Sequence, residues 1–283
     1  MKYYLLIISS VSRNTQDPFR NNYKYLCDQA RKAEFSLYKK VRCISPLSPP
    51  IMFKLFESLI KPILVYASDI WGVMQTGKST IDKVFYKYVR CALGVKATTS
   101  NLIVTGECGL FPPSVSCELS TLKFWNRVKQ MPKDTLVNQV YSELYNLHEI
   151  GFHTWVTRIC ELARKHDMHA HSDNDSIHNS HPTYRRQVLN RFINDWESDV
   201  QNINIHPKSR TYAKFKHIFQ CEPYLNIVKT KKHRIAISKL RCSSHTLAIE
   251  VGRHSSPVTP LVERVSYMWC CGNRRTFYFS LQY

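Results

Sequence analysis

Glycine is scarce in this chain, with eight residues in 283. Few turns can therefore rely on a positive φ, which argues against many tight hairpins and for an α-rich architecture. Acidic residues are also short. There are 21 of them against 40 lysines and arginines, leaving a formal charge of +19. Such an excess repels itself in the compact state, and an anionic partner relieves it. Nucleic acid ranks first, because each neutralised phosphate releases a counterion, and an anionic membrane surface ranks second. No apolar run is long enough to span a bilayer, and the best candidate, 52–73, is broken by Lys54, Glu57, Lys61 and Asp69. No two aspartates are adjacent, and no spacing of Ser, His and Asp marks a hydrolytic triad. The chain is accordingly read as non-catalytic and without a cofactor. C-x-x-C is missing although there are ten cysteines, a usage that fits reduced thiols and an intracellular setting better than a disulfide framework.

Aromatic residues, by contrast, are plentiful at 12%, and the hydrophobic fraction is 43%, enough for a sizeable core. The apolar run Tyr3-Tyr4-Leu5-Leu6-Ile7-Ile8 reads as a short buried β-strand rather than a signal peptide. After it the apolar spacing becomes helical. Tyr23, Leu26, Cys27, Ala30, Ala33, Leu37 and Val41 form one stripe of a long basic helix. Pro46, Pro49 and Pro50 punctuate, and Pro62 begins or kinks a further helix. The stripe Ile81, Val84, Phe85, Tyr88, Ala92 predicts a helix stopping at Gly94. Thr98, Thr99 or Ser100 caps a short helix ending near Gly109, and Pro112-Pro113 starts one running toward Met131. Between 148 and 182 Ser, Asn, Asp and His accumulate, and the segment reads as a polar, His-rich linker. Residues 184–200 read as helix again. Between Ile205 and His254 eleven Lys or Arg face only Glu222 and Glu250, so that stretch carries 11 − 2 = +9.

Two motifs carry possible ligand chemistry. Gly72-Val73-Met74-Gln75-Thr76-Gly77-Lys78-Ser79 satisfies G-x-x-x-x-G-K-[S/T], the loop whose amides cradle phosphate while Lys78 would meet the terminal phosphates and Ser79 the magnesium. Its context is poor: Asp69 and Trp71 interrupt the preceding apolar run, and strand–helix alternation is missing. His166, His169, His171, His178 and His181 have ligand-like spacing but too few core residues around them to hold a metal geometry. Cys270-Cys271 lacks a downstream partner and implies no zinc site. Basic residues interleaved with aromatics say more. Tyr212-Ala213-Lys214-Phe215-Lys216-His217-Ile218-Phe219 and Lys229-Thr230-Lys231-Lys232-His233-Arg234 can follow a phosphate backbone without reading sequence.

The segment Leu55-Phe56-Glu57-Ser58-Leu59-Ile60-Lys61-Pro62-Ile63-Leu64-Val65-Tyr66-Ala67-Ser68-Asp69-Ile70-Trp71-Gly72 resembles the block just after the palm in reverse transcriptases of LINE-type (non-LTR) retrotransposons. Residues 87–94, Thr99-Ser100-Asn101, Val104 to Gly109, Lys123 to Arg127, Lys239 to His245, Ile249 to Arg253 and Glu263-Arg264 continue the resemblance in family order. It covers nearly the whole chain. It implies a palm-end strand over 1–14, a thumb-like helical domain over 15–147, the linker over 148–182 and a basic helical C-terminal region over 183–283. The family's Tyr-x-Asp-Asp carboxylates and its endonuclease lie upstream of such a block. Leu6 stands where the family has a glycine, and Cys270-Cys271 replaces its Cys/His knuckle. The Gly77-Lys78-Ser79 match falls in a loop that varies in the family. The expected fold is thus mainly α, a thumb-like bundle plus a basic helical region with one short N-terminal strand. The expected function is contact with RNA or an RNA–DNA template–primer duplex, through Lys39, Lys40 and Arg42 on the first long helix and Lys208, Arg210, Lys214, Lys216, Lys229, Lys231, Lys232, Arg234 and Arg241. The alternatives are a nucleotide-binding protein using Gly72, Gly77, Lys78 and Ser79, or a non-functional product of a retroelement.

Overall fold

The computed structural model describes residues 19–44, 47–74, 80–168, 181–202, 204–206 and 209–245, the side chains of 42–44 and 181–182 excepted. Among these residues the regular structure is helical throughout, so the fold is mainly α as expected. The N-terminal strand expected over 1–14 lies outside the described residues.

Helix α1 (Arg20–Ile44) buries Tyr23, Leu26, Cys27 and Ala30 and presents lysines and arginines on its far side. Helix α2 (Pro49–Leu55) starts with two prolines in its first turn, where their missing N–H groups cost nothing. It passes through a π-turn, Phe56–Ile60, into α3 (Lys61–Leu64), whose second residue is Pro62. A proline in a continuing helix displaces the carbonyl four residues back, and the wider π-turn sits where that relief is needed. After the left-handed Ala67 comes α4 (Ser68–Trp71). Helix α5 (Thr80–Leu93) ends at Gly94 with φ +71°. Helix α6 (Asn101–Cys108) runs from Ser100 to Gly109 with φ +62°, and α7 (Pro113–Lys129) begins on its proline. These boundaries follow the expected ones.

Phe56 stacks obliquely on Phe85 and Tyr88 at 5.4 and 5.0 Å and is fully buried, joining the π-turn to α5. The Tyr88 hydroxyl donates to the Met52 carbonyl at 2.8 Å, so this aromatic core satisfies its polar atom. Helix α4 lies against α7, where the Thr121 hydroxyl donates to the Ser68 carbonyl at 3.0 Å.

The polar linker expected over 148–182 is corrected in part. Helix α8 (Leu136–Glu149) is followed by α9 (Trp155–Lys165), which buries Trp155, Val156, Ile159, Leu162 and Ala163 in a second core with Leu122 and Trp125 of α7. The apolar positions at 155, 156, 159, 162 and 163 repeat at helical spacing, and composition over the longer window hid that. Thr154 closes a capping box with Thr157 at the start of α9.

Helix α10 (His181–Gln201) packs across α6 and α7. A third core joins Ile103 of α6, Trp196 and Val200 of α10, and Tyr212 and Ala213 of a 3-10 turn (Tyr212–Lys214). The basic segment after 183 therefore shares its core with α6 instead of standing apart. Gly106 is the crossing point. A methyl added there would overlap the Trp196 ring and come within 2.9 Å of the Tyr212 hydroxyl. We expect Gly106→Ala to lower stability by about 2–3 kcal/mol through overpacking, outweighing the roughly 1 kcal/mol that alanine gains in helix propensity. Urea unfolding of the two proteins checks this.

Candidate nucleic-acid interface

The C-terminal cations divide into those turned inward and those left in solvent. Helix α11 (Tyr224–Ile227) carries none of them, while α12 (Lys231–Arg241) carries Lys231, Lys232, Arg234, Lys239 and Arg241. On α12, Arg234, Ser238 and Arg241 recur at spacings of four and three, so they share one face. Arg234 is buried and donates to the Val228 carbonyl at 3.0 Å. The Ser238 hydroxyl is 2.8 Å from that of Tyr224. Arg241 Nε lies 2.6 Å from Glu107 Oε1 and Nη2 lies 2.7 Å from Glu222 Oε2. Its guanidinium also lies over the rings of Phe215 and Tyr224, 4.7 and 5.5 Å from their centroids.

Glu107 is completely buried in α6, a helix otherwise built of apolar and small side chains around it. An ionised carboxylate there is tolerable only with strong partners, and Arg241 supplies the bidentate fork that a lysine lacks. Burial alone would lower the Arg241 pKa, but the Glu107 and Glu222 carboxylates outweigh it and raise it. Burial, then the Glu107 charge, pushes the Tyr212 hydroxyl well above the ordinary tyrosine range. Lys216 is buried too. It pairs with Glu222 and donates to the Gln220 carbonyl at 2.7 Å. A backbone bond from Glu222 N to Glu107 O at 3.1 Å binds the loop to the end of α6. Left-handed Gly109 lies against the backbone of Gln220 and Cys221, where a side chain would collide.

Three of the twelve candidate contacts are thereby corrected. Lys216, Arg234 and Arg241 hold the fold and do not present their charge to a ligand. Lys39, Lys40, Arg210, Lys214, Lys229, Lys231 and Lys232 are exposed. Lys208 and the Arg42 side chain lie outside the described residues. Sequence reasoning missed Glu107. Its signal was a lone acidic residue within the apolar stretch 102–108 of a chain so short of acids.

The phosphate-loop alternative meets a helix where it needs a strand. Residues 61–64 and 68–71 are helical, and Gly77, Lys78 and Ser79 lie outside the described residues. Gly72 has a packing role. A side chain there would approach the Thr121 hydroxyl to 2.7 Å and the Cys117 carbonyl to 2.9 Å, so glycine lets α4 close on α7. Of the histidines, His166 is buried with Nε2 2.9 Å from Glu118 Oε2, while Lys165 Nζ reaches the other oxygen at 2.7 Å. Burial raises the Glu118 pKa, but these two partners outweigh it and hold the carboxyl below its ordinary value. His169, His171 and His178 lie outside the described residues. Among the described residues no three His, Cys, Asp or Glu side chains converge to hold a metal ion, and no helix is long and apolar enough to cross a membrane. Asp82 is a further buried carboxylate. Burial lifts its pKa to about 6 although its Oδ1 accepts the Ser114 N–H at 3.0 Å, at the start of α7.

The chain matches no protein-family model, no curated protein and no solved structure.

Removing one partner of a buried ion pair strands the other. Glu107→Gln should therefore cost about 2–4 kcal/mol of stability, whereas Lys232→Gln on the exposed side of α12 should stay within about 0.5 kcal/mol. Chemical denaturation of both variants reads the difference.

Proposed function

We propose that this chain is a non-catalytic, intracellular nucleic-acid-binding segment, similar to the thumb and C-terminal region of a LINE-type reverse transcriptase, that holds RNA or a template–primer duplex by its phosphates. The observation that carries the reading is the fate of the basic residues. In the C-terminal segment the inward cations Arg241 and Lys216 are matched by the carboxylates of Glu107 and Glu222. What remains on the outside, including Lys214, Lys229, Lys231, Lys232 and Lys239, is an uncompensated positive surface. Such a surface neutralises phosphates and releases their counterions whatever the base sequence. The resemblance over 55–72 and the blocks after it adds the identity of the nucleic acid.

A non-functional retroelement product would need no folded interior. The packing speaks for a folded protein: three cores of interlocked aromatics, and a buried ion-pair cluster joining residues 134 apart in sequence.

Binding of the purified chain to a fluorescent RNA–DNA duplex across a salt series tests the proposal. The expected result is tight binding at low salt, with log K falling against log salt at a slope of about −3 or steeper. A folded chain that binds no duplex at low salt, or one whose affinity ignores salt, overturns it.

A further inference from the structure

Helix α1 has a solvent face as specific in composition as its buried one. Its packed side takes Tyr23, Leu26, Cys27, Ala30 and Glu34. On the opposite side Tyr25 and Phe35 stand 63% and 74% exposed. A fall of 100° per residue puts Tyr25, Lys32, Phe35 and Lys39 within about 80° of one another around the axis. Two aromatic and two cationic side chains thus share one stripe, together with Asp28, whose charge is taken up by Arg31 beside it. Lys24, Arg31, Lys32, Lys39 and Lys40 are all exposed. The acids of the helix are Glu34, which is buried, and Asp28, which sits 2.7 Å from Arg31.

We infer that this face of α1 is a stacking platform for single-stranded nucleic acid, with Tyr25 and Phe35 receiving bases and the flanking lysines and arginine meeting phosphates. The inference rests on the nucleic-acid reading above and narrows it to a strand whose bases are free. Two properties of the stripe point there. A duplex keeps its base faces stacked inside and offers exposed aromatics nothing to cover, whereas unpaired bases stack on them without sequence preference. The centre of a protein–protein interface is depleted of lysine, and here lysine shares the stripe with the aromatics. Spacing is compatible as well. Ten residues at 1.5 Å rise separate Tyr25 from Phe35 by about 15 Å, a span of a few nucleotides in an extended strand.

The test compares a fluorescent twelve-nucleotide oligo(dT) with a blunt RNA–DNA duplex, using the full chain. Both aromatic side chains are solvent-exposed, so their removal leaves the fold intact, which unfolding curves confirm. Phe35→Ala and Tyr25→Ala are each expected to weaken oligo(dT) binding roughly tenfold, with the salt slope and the duplex affinity unchanged. Phe35→Trp should retain the affinity, and Lys32→Gln should weaken it with a shallower slope. If both alanine variants bind oligo(dT) like the parent while Lys32→Gln is weakened, the stacking platform is overturned and phosphate binding stands. If the parent binds neither ligand, both readings fall. Unchanged oligo(dT) binding together with loss of a self-association seen in sedimentation would assign the face to a second copy of the chain and overturn the inference.

Discussion

A carboxylate with no exposed surface sits at the end of α6, and the arrangement of the C-terminal half follows from the need to satisfy it. Glu107 cannot be left as a lone charge in an apolar helix. Arg241 reaches it from 134 positions away, Glu222 shares the guanidinium, and Lys216 balances Glu222. Two aromatic rings, Phe215 and Tyr224, lie within cation–π reach of the guanidinium. The low effective dielectric that makes the unpaired charge so costly also strengthens the pairing once made. A hydrophobic cluster of the same size would hold α12 in place too, but with far less angular definition than a bidentate fork.

That constraint also settles which cations are available. Once Arg234, Ser238 and Arg241 face inward, helical geometry turns Lys232 and Lys239 outward. The same logic runs on α1, where burying one stripe leaves the other side to its lysines, arginines and two aromatics. A chain with +19 net charge could have scattered its excess evenly. Instead the scarce acids serve partly as partners of particular cations, as Glu107, Glu118 and Glu222 do for Arg241, Lys165 and Lys216, and the excess is left to the remaining lysines and arginines.

Much of the helical layout was legible because its signals are local. Gly94 and Gly109 supply the left-handed ends of α5 and α6, Pro113 opens α7, and the stripe at Tyr23, Leu26, Cys27 and Ala30 names the packed face of α1. What escaped was either short or distant. The π-turn at Phe56–Ile60 depends on how Pro62 is accommodated. Helix α9 sits in a window whose polar flanks outweighed its five apolar positions. The roles of Lys216, Arg234 and Arg241 depend on carbonyls and carboxylates that their neighbours in sequence do not announce, since a basic residue looks the same whether its partner is a phosphate or a buried glutamate. The Gly72 to Ser79 match shows the converse: a local pattern survives inspection only if the element before it has the required form, and here that element is helical.

Hydrogen exchange of the native chain addresses the central claim most directly. If the Glu107–Arg241 cluster fixes α12 onto α6, the hydrogen-bonded amides of 234–241 must open only together with those of 104–108, at one shared free energy. An eleven-residue helix without that anchor would be marginal by itself. Amides of α12 exchanging at rates near those of an unprotected peptide, while α6 stays closed, would contradict the account.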